Sequence, residues 1–373
     1  MSCFKKDEDL IGSGSPDDGN DGGNGEGGTA VLLPKERLNR VFSGEQVDRP
    51  PCICPGGMMN MITAELMEAA GIRFPEAHTN ARMMADLAAA VYEKDCFENY
   101  GVPFCMTIEA EDLGAKVDLG TNFYEPHVVE YAITSVNEWE KLTAADRREG
   151  RANVVVEAIK LLKAKGNDVP IIGNITGPIS MASSLMEPVV FYKELRKNNA
   201  KAHEFLEFVT NHLIAFAKRQ IEAGADIIAI SDPSGTGEIL GPKLFEEFAV
   251  KYINRIVDSI HSENKHAIVH ICGQMRKVYS GTAQIKSQVL SFDAIVSMRE
   301  ARENLGNRLL MGNVSTYAIE FGEPGKVAAL TERCVQDGVN IISPACGLGM
   351  KSPLKNVQSM LEAVTKGAAN RND

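Results

Sequence analysis

The stretch Ala267-Ile268-Val269-His270-Ile271-Cys272-Gly273 decides how the chain is read. It is short, apolar and rich in β-branched residues, and it shows little alternation. A run of this kind reads as a strand buried on both faces, as in a parallel sheet. Seven other segments share its character: Pro51–Pro55, Tyr100–Thr107, Pro170–Thr176, Asp226–Asp232, Ala294–Met298, Leu309–Val314 and Asn340–Cys346. Between them lie segments with the spacing of amphipathic helices: Thr79–Lys94, Ala152–Lys165, Phe191–Ala223, Pro242–Ser262 and Lys326–Asp337. Eight strands with helices between them predict an α/β fold, a (β/α)8 TIM barrel. The long segment 108–168 leaves room for an excursion, a small β-hairpin around Val117–Tyr131.

The chain has 373 residues, 44% hydrophobic and 24% charged, which a single large barrel accommodates. Residues 1–30 are different. They hold eight Gly, and the run Gly12 to Gly28 has no core-forming residue. Such a segment cannot bury enough apolar surface to offset chain entropy, so it reads as a disordered tail before a barrel domain over 31–373. Five of the eleven net negative charges lie in that tail, which leaves −6 for the body. This acidity argues against nonspecific binding to nucleic acid or to an anionic membrane. No stretch approaches the ~18 apolar residues of a membrane span, and the N-terminus has no apolar signal-peptide core. Eight Cys without framework spacing suit a reducing, cytoplasmic setting. Any special Cys is then a metal ligand or a nucleophile.

In such a barrel the chemistry lies where the strands end. His270 and Cys272 are two apart, so on a strand they share a face. Cys346 ends the last expected strand and faces the same mouth. Two thiolates and an imidazole suit Zn2+, as three protein ligands with the fourth position open. The plainer reading is that Cys is a small buried hydrophobe and a lone His a satisfied core residue. That reading suits Cys52 and Cys54, which precede a strand end; Cys105 stays ambiguous. Asp232, before a Pro–Gly turn, fits a substrate-binding acid and a turn cap equally. Asn174 and Asn313 close two strands alike. They read first as turn formers, and at the mouth they are also substrate-binding candidates.

Several pieces together resemble a known family. They are Val102-Pro103-Phe104-Cys105-Met106-Thr107 followed by Glu109-Ala110-Glu111, Gly173-Asn174-Ile175-Thr176-Gly177-Pro178, His270-Ile271-Cys272-Gly273, Gly312-Asn313-Val314-Ser315 and Pro344-Ala345-Cys346-Gly347. Over residues 36–367 the chain resembles the uroporphyrinogen decarboxylase-like barrels, and within them the methylcobalamin:coenzyme M methyltransferase branch. The resemblance implies zinc held by His270, Cys272 and Cys346. It implies methyl transfer from methylcobalamin, carried on a separate corrinoid protein, to a zinc-activated thiol such as coenzyme M. Another thiol or tetrahydrofolate is an alternative acceptor. A decarboxylase-like lyase is the rival activity. The decarboxylases carry an Arg-rich substrate motif after the first strand, whereas Pro55-Gly56-Gly57-Met58-Met59-Asn60 has no Arg. One departure from the methyltransferase pattern is also expected. An acidic pair should follow the Ser that ends strand six, and with that strand at Ala294–Met298 the chain offers Arg299 there.

Overall fold

The structure, a computed structural model, describes residues 31–142 and 150–369, so the tail expected over 1–30 lies outside the described residues. The apolar runs become parallel strands: β1 (Tyr100–Val102), β4 (Ile171–Thr176), β5 (Ile227–Ser231), β6 (His266–Ile271), β7 (Val289–Phe292), β8 (Leu309–Val314) and β9 (Ile341–Pro344). They form one sheet in the order β1-β4-β5-β6-β7-β8-β9. Every residue of β4, β5 and β7 is buried. Such strands have both faces covered, which is why their sequences run apolar without alternation. This curled, helix-wrapped parallel sheet of seven strands is an α/β arrangement consistent with a barrel. The expected hairpin is present as the antiparallel pair β2 (Lys116–Asp118) and β3 (His127–Glu130).

Helices lock to strands through buried polar groups as well as apolar packing. Gln220, fully buried near the end of the helix Asn199–Ala223, grips the backbone of Asn174 in β4. Its Oε1 accepts from the Asn174 N–H at 3.0 Å, and its Nε2 donates to the Asn174 carbonyl at 2.9 Å.

Five expectations are corrected. Pro51–Pro55 is not a regular strand. It makes a single parallel bridge, Cys52 to Ile342 of β9, with Ile53 N–H on Ile342 O and Ile342 N–H on Pro51 O, both at 2.9 Å. Pro51 and Pro55 have no N–H to continue a ladder. Asn99 substitutes for a neighbouring strand there: its side chain pairs with both the N–H and the C=O of Cys54, at 2.9 and 2.8 Å. The strand expected at Tyr100–Thr107 stops at Val102, because Pro103 follows.

The sixth expected strand lies upstream, at Val289–Phe292 and not at Ala294–Met298. Asp293 opens a turn, its Oδ1 accepting from Ile295 N–H at 3.2 Å and its carbonyl from Val296 N–H at 3.0 Å. Ser297 then caps the helix Met298–Leu305 by accepting from Glu300 N–H. Asp and Ser at these offsets favour turn and cap over strand. Finally, the helix expected over 191–223 breaks at Asn198, which has φ −129° and ψ 45°, into Pro188–Lys197 and Asn199–Ala223. The one expected over 242–262 is helical in its first residues too, but Phe245–Val250 forms a π-helical turn before Lys251–Ser262.

Candidate metal centre

His270 is the penultimate residue of β6 and fully buried, and Cys272 follows just past the strand on the same face. The imidazole Nε2 lies 3.2 Å from Cys272 Sγ. Cys346 comes two residues after β9. One ligand atom from each of His270, Cys272 and Cys346 falls within 4.8 Å of the others. Ligand atoms of a tetrahedral zinc with S and N donors stand roughly 3.5–3.8 Å apart, from Zn–S near 2.3 Å and Zn–N near 2.0–2.1 Å. The donor set therefore fits that ion in chemistry and spacing.

The imidazole is oriented from the adjacent strand. Ser291 is the register partner of His270 across β6 and β7, and its Oγ lies 2.9 Å from His270 Nδ1. With the proton on Nδ1, directed at that oxygen, Nε2 keeps the lone pair a metal needs. Sequence reading missed Ser291 because it put the strand five residues late. The signal was present: a single Ser in the apolar run Val289-Leu290-Ser291-Phe292. The same correction takes Arg299 out of that place, although one acid and not the expected pair follows Ser291. The residue that leaves the strand after Ser291 and Phe292 is Asp293, while Arg299 lies on a helix and pairs with Asp337 at 2.8 Å.

The two thiols divide one negative charge. Cys346 is pulled down by the hydrogen bond from Cys272, assisted by His270, against the opposing effect of burial. Cys272 is pushed up by that same bond, by burial and by the negative charges of Cys346, Asp293 and Asp232. A cation among them would relieve this conflict, as it does wherever thiolates cluster on a metal. Met58 closes one side, its Sδ 3.5 Å from Cys346 Sγ. Gly347 makes that approach possible, since a Cβ there would stand 2.5 Å from the Met58 carbonyl.

The other candidates are each held by backbone. Asp232 is fully buried, and its carboxylate caps the helix Pro178–Leu185. Oδ1 accepts from Ser180 N–H and Oγ at 2.8 and 2.7 Å, and Oδ2 from Ile179 N–H at 3.2 Å. Burial pushes its carboxyl up in spite of these bonds. Asn174 donates to the carbonyls of Pro55 and Val102, at 2.7 and 3.0 Å, and ties segment 51–55 to β1. Its Oδ1 has no partner among the described residues. Gly57, at φ +62°, passes this side chain where a Cβ would lie 2.8 Å from Asn174 Cβ. Asn313 donates to the carbonyls of Asp293 and Val296, at 2.9 and 2.8 Å, and so holds the turn after β7.

Glu109 emerges beside these. It is 2% exposed, with Oε1 accepting from Thr176 N–H at 2.7 Å and Oε2 from Thr176 Oγ1 at 3.2 Å. Burial pushes its carboxyl up to about 7, against the pull of the Thr176 N–H. Among the cysteines, Cys52 and Cys54 are buried in the core. Cys105 is buried too, accepting from Thr107 Oγ1 at 3.4 Å and Arg151 Nη1 at 3.5 Å.

Comparison with known proteins places the site in context. Residues 33–367 match the Uroporphyrinogen decarboxylase (URO-D) family. The chain is 34% identical over 331 residues to the "Methylcobamide:CoM methyltransferase MtbA" of Methanosarcina acetivorans, covering 88% of this chain and 96% of that one. It is 32% identical over 333 residues to the "Methylcobamide:CoM methyltransferase MtaA" of Methanosarcina barkeri, with the same shares covered. Among solved structures, a methyltransferase from Methanosarcina mazei superposes with a TM-score of 0.84 at 31% identity, over 90% of this chain and 99% of that one. A uroporphyrinogen decarboxylase of Myxococcus xanthus matches only 53% of this chain, at 29% identity. The chain belongs to the uroporphyrinogen decarboxylase family and, within it, to the branch of the methylcobamide:coenzyme M methyltransferases.

Proposed function

We propose that this enzyme moves a methyl group from methylcobalamin, presented by a corrinoid protein, to a small thiol held at a zinc ion. The observation that carries the reading is the convergence of His270, Cys272 and Cys346 within 4.8 Å where β6 and β9 end. In the methanogen relatives the acceptor named is coenzyme M. Zinc, when bound, would supply the Lewis acidity that keeps an acceptor thiol as thiolate near neutral pH. His270 Nε2 and the two sulfurs would hold it, and Ser291 would keep the imidazole in the right tautomer. In the transfer itself a sulfur–carbon bond forms as the cobalt–carbon bond breaks. The electron pair of the broken bond stays on cobalt, and the thiol proton leaves to solvent.

Asp232 and Asn313 serve the reaction through the loops they hold, and Asn174 keeps a spare acceptor in Oδ1. Segment 51–54, bonded to β9 on one side and to Asn99 on the other, is read as the eighth stave that closes the barrel. No described helix is long and apolar enough to cross a membrane. A cytoplasmic setting would keep the thiols reduced. The lyase reading has less support, because the segment after the first stave offers no Arg to clamp carboxylates.

The test is a methyl-transfer assay from methylcobalamin to coenzyme M, to homocysteine and to tetrahydrofolate, with Cys272→Ala beside the native chain. Transfer to a thiol, lost by at least 100-fold in a folded Cys272→Ala protein, is expected. Transfer to tetrahydrofolate alone would keep the class and replace the acceptor. Equal rates with and without metal would overturn the zinc-thiolate reading.

A further inference from the structure

A cavity of about 270 Å³ opens beside the metal ligands, between the loop at Gly57 and Met58, the turn at Cys105–Thr107, the β2–β3 hairpin and the helix Pro178–Leu185. Met58 lines it while also touching Cys346, so the cavity neighbours the candidate metal centre. Resting on the thiol reading above, we propose that this cavity seats the tail of the acceptor and that the tail it selects carries an ammonium group, which makes the acceptor a short aminothiol.

The argument is a hydrogen-bond accounting of the lining. Ser183 and Ser184 both direct their hydroxyls to the Ser180 carbonyl, at 3.0 and 2.9 Å. A carbonyl only accepts, so both protons are spent and only lone pairs remain. His127 Nδ1 lies 3.3 Å from the Glu125 carbonyl, and with a proton directed there Nε2 is the nitrogen left to accept. Glu125 adds a carboxylate whose Oε1 receives one bond, from Asn60 Nδ2 at 3.3 Å.

The cation behind the wall is already committed. Arg151 gives Nε to Glu111 at 2.5 Å, Nη2 to Thr107 Oγ1 at 2.9 Å and Nη1 to Cys105 Sγ at 3.5 Å. Tyr131 lines the cavity too, with a phenol that can donate as well as accept. A sulfonate would set its oxygens against these lone pairs. Size adds a second limit. The volume lies below the roughly 300–1,000 Å³ that drug-sized ligands occupy, so a two- or three-carbon thiol fits and an enclosed pterin does not.

Three thiols with the same two-carbon spacer separate the possibilities: cysteamine, 2-mercaptoethanol and 2-mercaptoethanesulfonate. Their dissociation constants for the zinc-loaded protein would be measured by calorimetry, and sulfur ligation by zinc X-ray absorption. Cysteamine should bind at least tenfold more tightly than the sulfonate. Glu125→Gln should shrink that ratio several-fold, and Ser184→Ala should shrink it less, with both proteins still taking up zinc and still ligating the sulfur. An equal or reversed order in the native protein overturns the tail assignment and leaves the thiol reading standing. An unchanged ratio in Glu125→Gln removes the cavity from the assignment. If no thiol adds a sulfur to the zinc, the thiol reading falls and this assignment falls with it.

Discussion

Glu109 holds its proton because the fold gives it hydrogen-bond donors but no cation. Both oxygens rest on Thr176, and burial outweighs those bonds and pushes the carboxyl up to about 7. The consequence for stability has a definite sign. The folded pKa lies above the unfolded value near 4.5, so between those values the native state binds the extra proton. Stability is then full below about pH 4.5 and declines as pH rises towards 7, by up to about 3 kcal/mol at this site. Glu109→Gln keeps an acceptor for the Thr176 N–H and removes the titration. Denaturant unfolding at pH 5 and pH 8 should show the native protein losing more stability than the variant over that interval. Equal losses would mean that Glu109 is ionised in the fold throughout. A glutamate in Glu109-Ala110-Glu111 carries no sign of this in the sequence, since burial depends on which helix end meets β4.

At the scale of elements, the chain states its strands more clearly than their ends. The runs that became β4, β5, β6 and β8 were legible because continuous apolar β-branched residues have few other readings. Two of those that went astray were decided by prolines and turn formers. Pro51 and Pro55 denied the first segment its ladder, and Asp293 with Ser297 turned an apolar stretch into a turn and a cap. His270, Cys272 and Cys346 could be picked out because metal-binding residue types stood at strand ends. Ser291 could not, because its role depends on a register set between two strands.

The irregular first segment is instead fastened by charge. Arg37 is 1% exposed; its Nη1 meets Glu98 at 2.7 Å and its Nε and Nη2 meet Asp48 at 2.7 Å. Glu98 also takes both Nη groups of Arg49, at 2.7 Å each, and the Cys52 N–H at 2.9 Å. Removing one partner of such a buried network strands the others. Arg37→Met should therefore destabilise by about 3–5 kcal/mol, read as a lower denaturant midpoint. Zinc content should not change, because the network sits at the opposite end of the staves from Cys272 and Cys346. A change below 1 kcal/mol would show that water replaces the guanidinium.

For the molecule as a whole, the candidate metal centre would also act as a clasp. Its donors come from the end of β6 and from the segment after β9, with β7 and β8 between them in the sheet. An ion that binds this arrangement and not the unfolded chain stabilises the fold by mass action, about 4 kcal/mol when free metal is a thousandfold above its dissociation constant. The protein should fold without it, since the strands beneath are closed by apolar packing and backbone bonds that do not depend on the three ligand side chains. Stripping zinc with a chelator should therefore lower the melting temperature by several degrees while a single cooperative transition survives. Adding zinc back should restore it in proportion to the logarithm of free zinc. In Cys346→Ser the restoration should be much smaller, because the segment after β9 loses its thiolate and the clasp its second anchor. A melting curve that ignores both chelator and zinc would mean that the three side chains meet without binding an ion. A native chain that collapses on chelation would place the ion among the requirements for folding, as in zinc-dependent small domains. The separation of function from stability in barrels, with chemistry at the strand ends and strength beneath, favours the intermediate outcome.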